Sequence, residues 1–204
     1  MMLANFQVTD YDGAGQPTSD AALLSVPLSD VLTQELDGAS EALGVTAEDV
    51  LLAALGRAIG RTIGEGVVAV DVPGHGRAVY PVALSCMGPQ RIDATEMLAG
   101  VHYLVAAVAL HRTVHGVPDH PVVQPLSDVL FAYGASRPAQ LGHALELRAH
   151  RRGGILVLDW WYDESRFEAY TIEELSEQFP FALIELTSEA TAPVLGAAEL
   201  AMAH

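Results

Sequence analysis

The chain has 204 residues, and its ten basic against 26 acidic side chains give a formal charge of -16 and a pI near 4.6. That charge repels the phosphate backbone of nucleic acid and the anionic headgroups of a lipid surface, so neither is expected as a partner. Half of the residues are hydrophobic and 18% are charged, which excludes a disordered chain and predicts one globular domain with a sizeable core.

Cys86 is the single cysteine, so the chain forms no internal disulfide and builds no thiolate metal site; a reducing cytoplasm is the expected compartment. Residues 1–20 combine Gly, Asp, Thr and Pro without periodicity and open on no basic segment followed by an apolar one. They read as a flexible amino-terminal arm or lead-in strand with no secretory signal. Residues 21–190 form the expected domain, and residues 191–204 an Ala-rich tail.

Leu28, Val31, Leu32, Leu36 and Leu43 recur at helical spacing and predict a first helix that buries them. Gly44 separates it from a second, whose start signal is Thr46-Ala-Glu-Asp49 and whose inner face holds Val50, Leu51, Leu55 and Ile59. Gly64 and Gly66 end that helix, and Val67, Val68, Ala69, Val70 and Val72 make an apolar run suited to a strand buried on both faces. After the turn Pro73-Gly-His-Gly76, Ala78 to Cys86 predicts another strand, and Asp93-Ala-Thr-Glu96 caps a helix reaching about His111. Its apolar part, Met97 to Leu110, falls short of the ~20 residues that a membrane span needs, so it reads as a core helix.

Three further strands are expected at Asp128 to Tyr133, Ala144 to His150 and Ile155 to Tyr162, with Arg151-Arg-Gly-Gly154 as a hairpin turn. In the middle one, Leu145, Leu147 and Ala149 alternate with Glu146 and Arg148. The basic group Arg148, His150, Arg151 and Arg152 reads as a solvated strand end. Thr171-Ile-Glu-Glu174 is expected to cap a last amphipathic helix, with Pro180 as a kink. Two helices, two strands, a helix, three strands and a helix predict an α/β fold: a mixed β-sheet flanked by helices, not a parallel doubly wound one.

Gly44-Val-Thr-Ala-Glu-Asp-Val-Leu-Leu-Ala-Ala-Leu55, followed by Val70-Asp-Val-Pro-Gly-His-Gly-Arg77, resembles the opening of the carboxy-terminal lobe in condensation domains of nonribosomal peptide synthetases. Asp128-Val-Leu-Phe-Ala-Tyr-Gly134 is similar to that lobe's Phe-Asn-Tyr-Leu-Gly strand, and Gly154 to Phe167 with Thr171 to Leu186 to its closing strand and helix. The resemblance implies a chloramphenicol-acetyltransferase-like half-domain. In that family two lobes form a tunnel, and carrier-tethered substrates meet at a His-His-x-x-x-Asp-Gly motif on the first lobe. None of the eight histidines here is adjacent to another, so that motif is absent and the lobe reads as standing alone. Against the family pattern, the channel segment after Arg77 and the crossover latch after Gly134 are both shortened.

His75 stands between two glycines that let a turn approach a ligand closely, and its imidazole titrates near neutral pH. His75 and Tyr133 are the candidate acid or base residues; Arg77, Trp160 and Trp161 are the candidate binding residues. The bland reading stands beside each: His75 and Arg77 as a structural turn, one tryptophan as core and the other over a groove. Ser85 and Cys86 have no histidine at an activating spacing. His102, His111 and His115 lack a third ligand for zinc, so no metal and no cofactor is expected.

Two functions follow. The first is a condensation-like protein of natural-product biosynthesis that binds a carrier protein, a synthetase, a pathway intermediate or a second copy of itself without ordinary peptide-bond formation. The second is a repurposed pocket enzyme, a cyclase, dehydratase or acyltransferase, whose mark is a closed cavity containing His75 or Tyr133.

Overall fold

The structure, a computed structural model, describes residues 7–12, 21–73, 79–114, 126–134 and 142–191. The elements are β1 (Ala22–Pro27), α1 (Asp30–Leu43), α2 (Ala47–Thr62), β2 (Gly66–Pro73), β3 (Val79–Cys86), α3 (Ala94–Val114), β4 (Val129–Tyr133), β5 (Leu145–Arg152), β6 (Ile155–Tyr162) and α4 (Ala169–Glu189).

Several of these start and stop on chemistry already visible in the chain. Ser29 caps α1 by accepting from the Leu32 amide, and Gly44 ends it at φ 68°, a left-handed conformation that suits glycine. Thr46 and Asp49 form a reciprocal capping box on α2, satisfying two amides that the first helical turn leaves unpaired. The β5–β6 hairpin turns on Gly153 and Gly154 at φ 62° and 88°, the pair of positive angles that a tight hairpin demands. One expected start differs. The first helical residue of α4 is Ala169, and its cap position, Glu168, gives no side-chain bond; its amide is instead held by the carboxylate of Asp10 at 2.8 Å. Pro180 lies inside α4, which continues through it to Glu189.

The six strands are ordered β1-β6-β5-β4-β2-β3. β4 lies parallel to both β2 and β5, while β1, β6 and β3 add antiparallel edges at the two sides. The mixed sheet is therefore as expected, with one strand more than the sequence suggested. β1 was hidden because an edge strand alternates only weakly: its residues are half-buried or exposed in turn, with Leu23 outermost.

One face of the sheet, carrying Val68, Val70, Val72, Phe131, Leu145, Leu147, Leu158 and Trp160, merges with all four helices into a single apolar cluster. α2 is its centre, with Val50 to Leu55 fully buried. Trp160 meets Phe179 of α4 edge to face, ring centres 5.8 Å apart. Arg57, fully buried on α2, ties the helix layer together: it donates to the carbonyls of Met87 and Ile92 and pairs with Glu185 of α4. Burial pulls its guanidinium down, and the charge of Glu185 opposes that.

Three packing expectations change. Val31 on α1 is 63% exposed and Thr33 is buried in its place, its hydroxyl accepting from the Leu156 amide. Packing reaches ahead of Ala21, because Val8 and Thr9 are buried and Asp10 and Tyr11 bond to the α4 entrance. β2 is covered on both faces only from Val70 onward, since Ala69 is exposed. Among the described residues no helix is long and apolar enough to cross a membrane.

Candidate functional site

Side chains alternate across a strand, so the residues between the core-facing ones point to the sheet's other face. There the register sets Glu146 opposite Trp161 and Arg148 opposite Asp159, with Asp71 of β2 beside Leu130 of β4. The result is a row of ionisable groups, and most of it is buried: Asp71, His143, Glu146, Arg148 and Asp159 are each under a tenth exposed. Glu146 and Arg148 are thus not on a solvated face. Arg148 is 4% exposed and donates through Nε and Nη2 to Glu146 Oε2 at 3.2 and 3.0 Å. A charge taken from water must be paired, and this one is. Arg151 and Arg152 keep the solvated role expected of them.

Asp71 is the hub of the row. Its Oδ2 accepts from the amides of Leu126 and Ser127 at 2.7 and 3.2 Å and contacts His143 Nε2 at 2.9 Å. Its own amide donates to Ser127 Oγ, which donates onward to the Val129 carbonyl. One carboxylate on β2 therefore fixes the approaches to β4 and to β5, the two parallel neighbours that no hairpin could align. His143 Nδ1 lies 3.7 Å from Glu146. Burial would lower the pKa of His143, but the pull of Asp71 and then of Glu146 wins, and the imidazole is held above its ordinary value.

At the β1 side, Asp159 accepts from Ser25 Oγ at 2.6 Å and contacts His150 Nε2 at 2.8 Å. Serine, aspartate and histidine meet here in the wrong order for nucleophilic catalysis. The carboxylate stands between the other two, so the imidazole does not reach the hydroxyl to take its proton. In the Asp71–His143 pair both side chains are completely buried and turned toward each other and toward backbone amides, which makes the pair a clamp on the sheet.

Of the residues singled out in the sequence, His75 and Arg77 lie outside the described residues. Tyr133 ends β4, 36% exposed, beside the Arg151 guanidinium, whose pKa it helps to raise. Trp160 is core, as the strand period required of one of the two, and Trp161 is half-buried on the charged face. The structure does not bring Tyr133 and the tryptophans into one cavity. Cys86 is buried, its thiol pushed up to about 12 by desolvation, so it carries no reactive thiolate near neutral pH. His102 Nδ1 sits 2.9 Å from Asp49 at the start of α2, where it joins two helices. Among the described residues no cluster of three His, Cys, Asp or Glu side chains is arranged to hold a metal.

Two depressions mark the helical side. One, about 330 Å3, is lined by Ser85, Ile92, Glu96, Met97, Gly100, Val101, Tyr103 and Leu104; the other, about 460 Å3 and shallower, lies between α1 and α4. Tyr133 lines neither, and neither contains a histidine.

The sequence signal for the row was present in part. Asp71 interrupts an otherwise apolar strand, and a charge there demands a partner. Nothing in the spacing pointed to His143, 72 residues away, as that partner.

No family model matches the sequence. The chain is 35% identical over 217 residues to a component of the phenolphthiocerol/phthiocerol polyketide synthase of Mycobacterium tuberculosis, an alignment spanning 83% of this chain and 14% of that protein. It is 27% identical over 197 residues to a component of the linear gramicidin synthase of Brevibacillus parabrevis, spanning 72% of this chain and 4% of that one. The chain thus covers only a small part of the length of these relatives. Among solved structures, the epimerization domain from the third module of tyrocidine synthetase B superposes with a TM-score of 0.67 at 18% identity, over 90% of this chain and 52% of that domain. The condensation domain of the Monacolin K polyketide synthase gives 0.66 at 14% identity, over 94% and 54%. A cyclization-docking bidomain of a nonribosomal peptide synthetase from Sorangium cellulosum gives 0.66 at 17% identity, over 94% and 45%. The chain has the condensation-type, chloramphenicol-acetyltransferase-like fold, at the size of one lobe, and its relatives are components of natural-product synthetases.

Proposed function

We propose that this chain, a condensation-type lobe of natural-product assembly, binds a synthetase or carrier-borne intermediate and does not by itself form the amide bond. The observation that carries this reading is the coverage. Nearly the whole chain superposes on about half of an epimerization domain and of a condensation domain, so these 204 residues correspond in extent to one lobe of such a domain. The His-His-x-x-x-Asp-Gly motif that the resemblance places on the other lobe does not occur in its sequence.

The chemistry of the described residues supports the same side. Among the described residues, Asp71 and His143 are buried in a mutual pair, and Tyr133 is exposed on a strand end and lines neither of the two depressions; His75 lies outside the described residues. A general acid or base needs hydrogen-bond reach to a substrate in a site that water can leave. Partner binding also suits a unit of one lobe's size, which can pair with a carrier protein, a synthetase lobe or a second copy.

The test is reconstitution. The purified chain is mixed with a carrier protein loaded with an acyl or aminoacyl group, with and without a polypeptide bearing the His-His-x-x-x-Asp-Gly lobe. Retention of the loaded carrier, with condensation product only when the second polypeptide is added, is the expected result. Product from the chain alone overturns the binding reading in favour of a pocket enzyme; failure to retain the carrier or the second polypeptide overturns it outright. Light scattering of the chain alone distinguishes a self-paired lobe from one that waits for a partner.

A further inference from the structure

α3 is apolar nearly all the way round, yet only one side of it is covered. Met97, Leu98, Val101 and Val108 are buried, while Gly100, Tyr103, Ala106 and Ala107 are exposed, Tyr103 to 72%. The helix flanks β3, the last strand of the sheet, and the depression of about 330 Å3 opens between them. Glu96, exposed at the rim of the depression, is the one charged side chain among these described residues, and a largely apolar face of this kind beside a cavity marks a surface that something covers.

The end of the described chain lies at the same place. The amide of Thr191 donates to Thr95 Oγ1 at 2.9 Å, and the two threonine hydroxyls are 3.1 Å apart. The chain is thus tied to the first turn of α3 just before residues 192–204, whose sequence is Ala-Pro-Val-Leu-Gly-Ala-Ala-Glu-Leu-Ala-Met-Ala-His. Ala99 and Tyr103 follow Thr95 at helical steps of four, so an uncharged row leads from that tie to the wall of the depression. Thr95 to Tyr103 is eight residues along a helix, about 12 Å at the usual rise. An extended chain covers that in about four residues. Four residues beyond Thr191 is Leu195, and Pro193 biases Ala192 before it toward the extended backbone such a path needs.

We propose that residues 192–204 dock across the exposed face of α3 and seat Val194 and Leu195 in the depression between Met97, Val101, Tyr103 and Leu104. The occupant is a segment of this same chain. It covers apolar surface that would otherwise face water, and the Thr95–Thr191 tie holds it at high effective concentration. The proposal is independent of the role suggested for the lobe as a whole.

The experiment uses the full chain, with methyl and aromatic labels read by NMR. Cross-relaxation from the Leu195 or Val194 methyls to the Tyr103 ring, and from them to the Met97 ε-methyl, is the expected result. Gly100→Trp supplies the second arm. A Cβ at Gly100 meets nothing within 4 Å, so the fold accepts the side chain, which fills the path of the docked segment. Gly100→Trp and Leu195→Asp should each abolish those contacts and speed limited proteolysis within 192–204 by roughly tenfold or more, the scale of one buried leucine, with the melting curve of the domain retained. Contacts missing from the unaltered chain, or proteolysis unchanged in both variants, overturn the proposal. So does a Met97 methyl shift that depends on protein concentration, which would assign the groove to a second copy.

Discussion

The two faces of the sheet solve the same problem by different means. Toward the helices, Val70, Phe131, Leu147, Leu158 and Trp160 exclude water by packing alone, and the stabilisation scales with buried area. On the reverse face, Asp71, His143, Glu146, Arg148 and Asp159 are nearly as buried, but each is there only because another holds it. Apolar packing tolerates small shifts, whereas a carboxylate that must meet two amides and an imidazole does not. The apolar face thus supplies the bulk of the stability, and the charged face fixes how β2, β4 and β5 line up.

The comparison is broken most severely at the centre of the apolar face. Trp160→Ala removes the largest fully buried side chain and its contact with Phe179, and should cost about 4 kcal/mol, read as a lowered urea midpoint. Asp71→Ala strands the His143 imidazole and the amides of Leu126 and Ser127, and should cost about 3 kcal/mol. If the row acts as a clamp, amide exchange after Asp71→Ala rises first at the starts of β4 and β5, before the helices. Uniform loss of protection would contradict it.

A smaller effect separates pairing from burial. Replacing Glu146 by Leu and Arg148 by Met together should leave stability within about 1 kcal/mol of the original, whereas either replacement alone is clearly worse. The pH dependence sharpens the same contrast. Because His143 is held above its ordinary value in the folded chain, its contribution is complete below the unfolded value of about 6.5. It fades as the pH rises through the folded value. Stability measured across that window should therefore fall with pH, and His143→Asn should flatten that segment of the profile. Least of all, Tyr133→Phe, on an exposed strand end, should change stability by under about 0.5 kcal/mol.

The elements built on local chemistry were legible in the chain. The Thr46–Asp49 capping box, the left-handed Gly44 and the Gly153–Gly154 hairpin each need only neighbours within a few residues, so the sequence carries them whole. The choice between Trp160 and Trp161 was half legible: the strand period required that only one be core, and the sheet decided which. β1 escaped because an edge strand is buried too little to pattern its residues strongly. The Thr171 cap gave way to Asp10, which reaches the α4 entrance from 158 residues away.

By itself, then, the sequence determined the helices with the caps of α2 and α3, the mixed order of five of the six strands with the helices, and the resemblance to a condensation-type lobe. The tertiary structure alone decided that Glu146 and Arg148 are buried, that Asp71 answers to His143, and that one flank of α3 faces outward. The physical reason is range. Caps and turns are satisfied within a few residues, but a buried charge or an uncovered helix face is defined only by what the folded chain brings beside it.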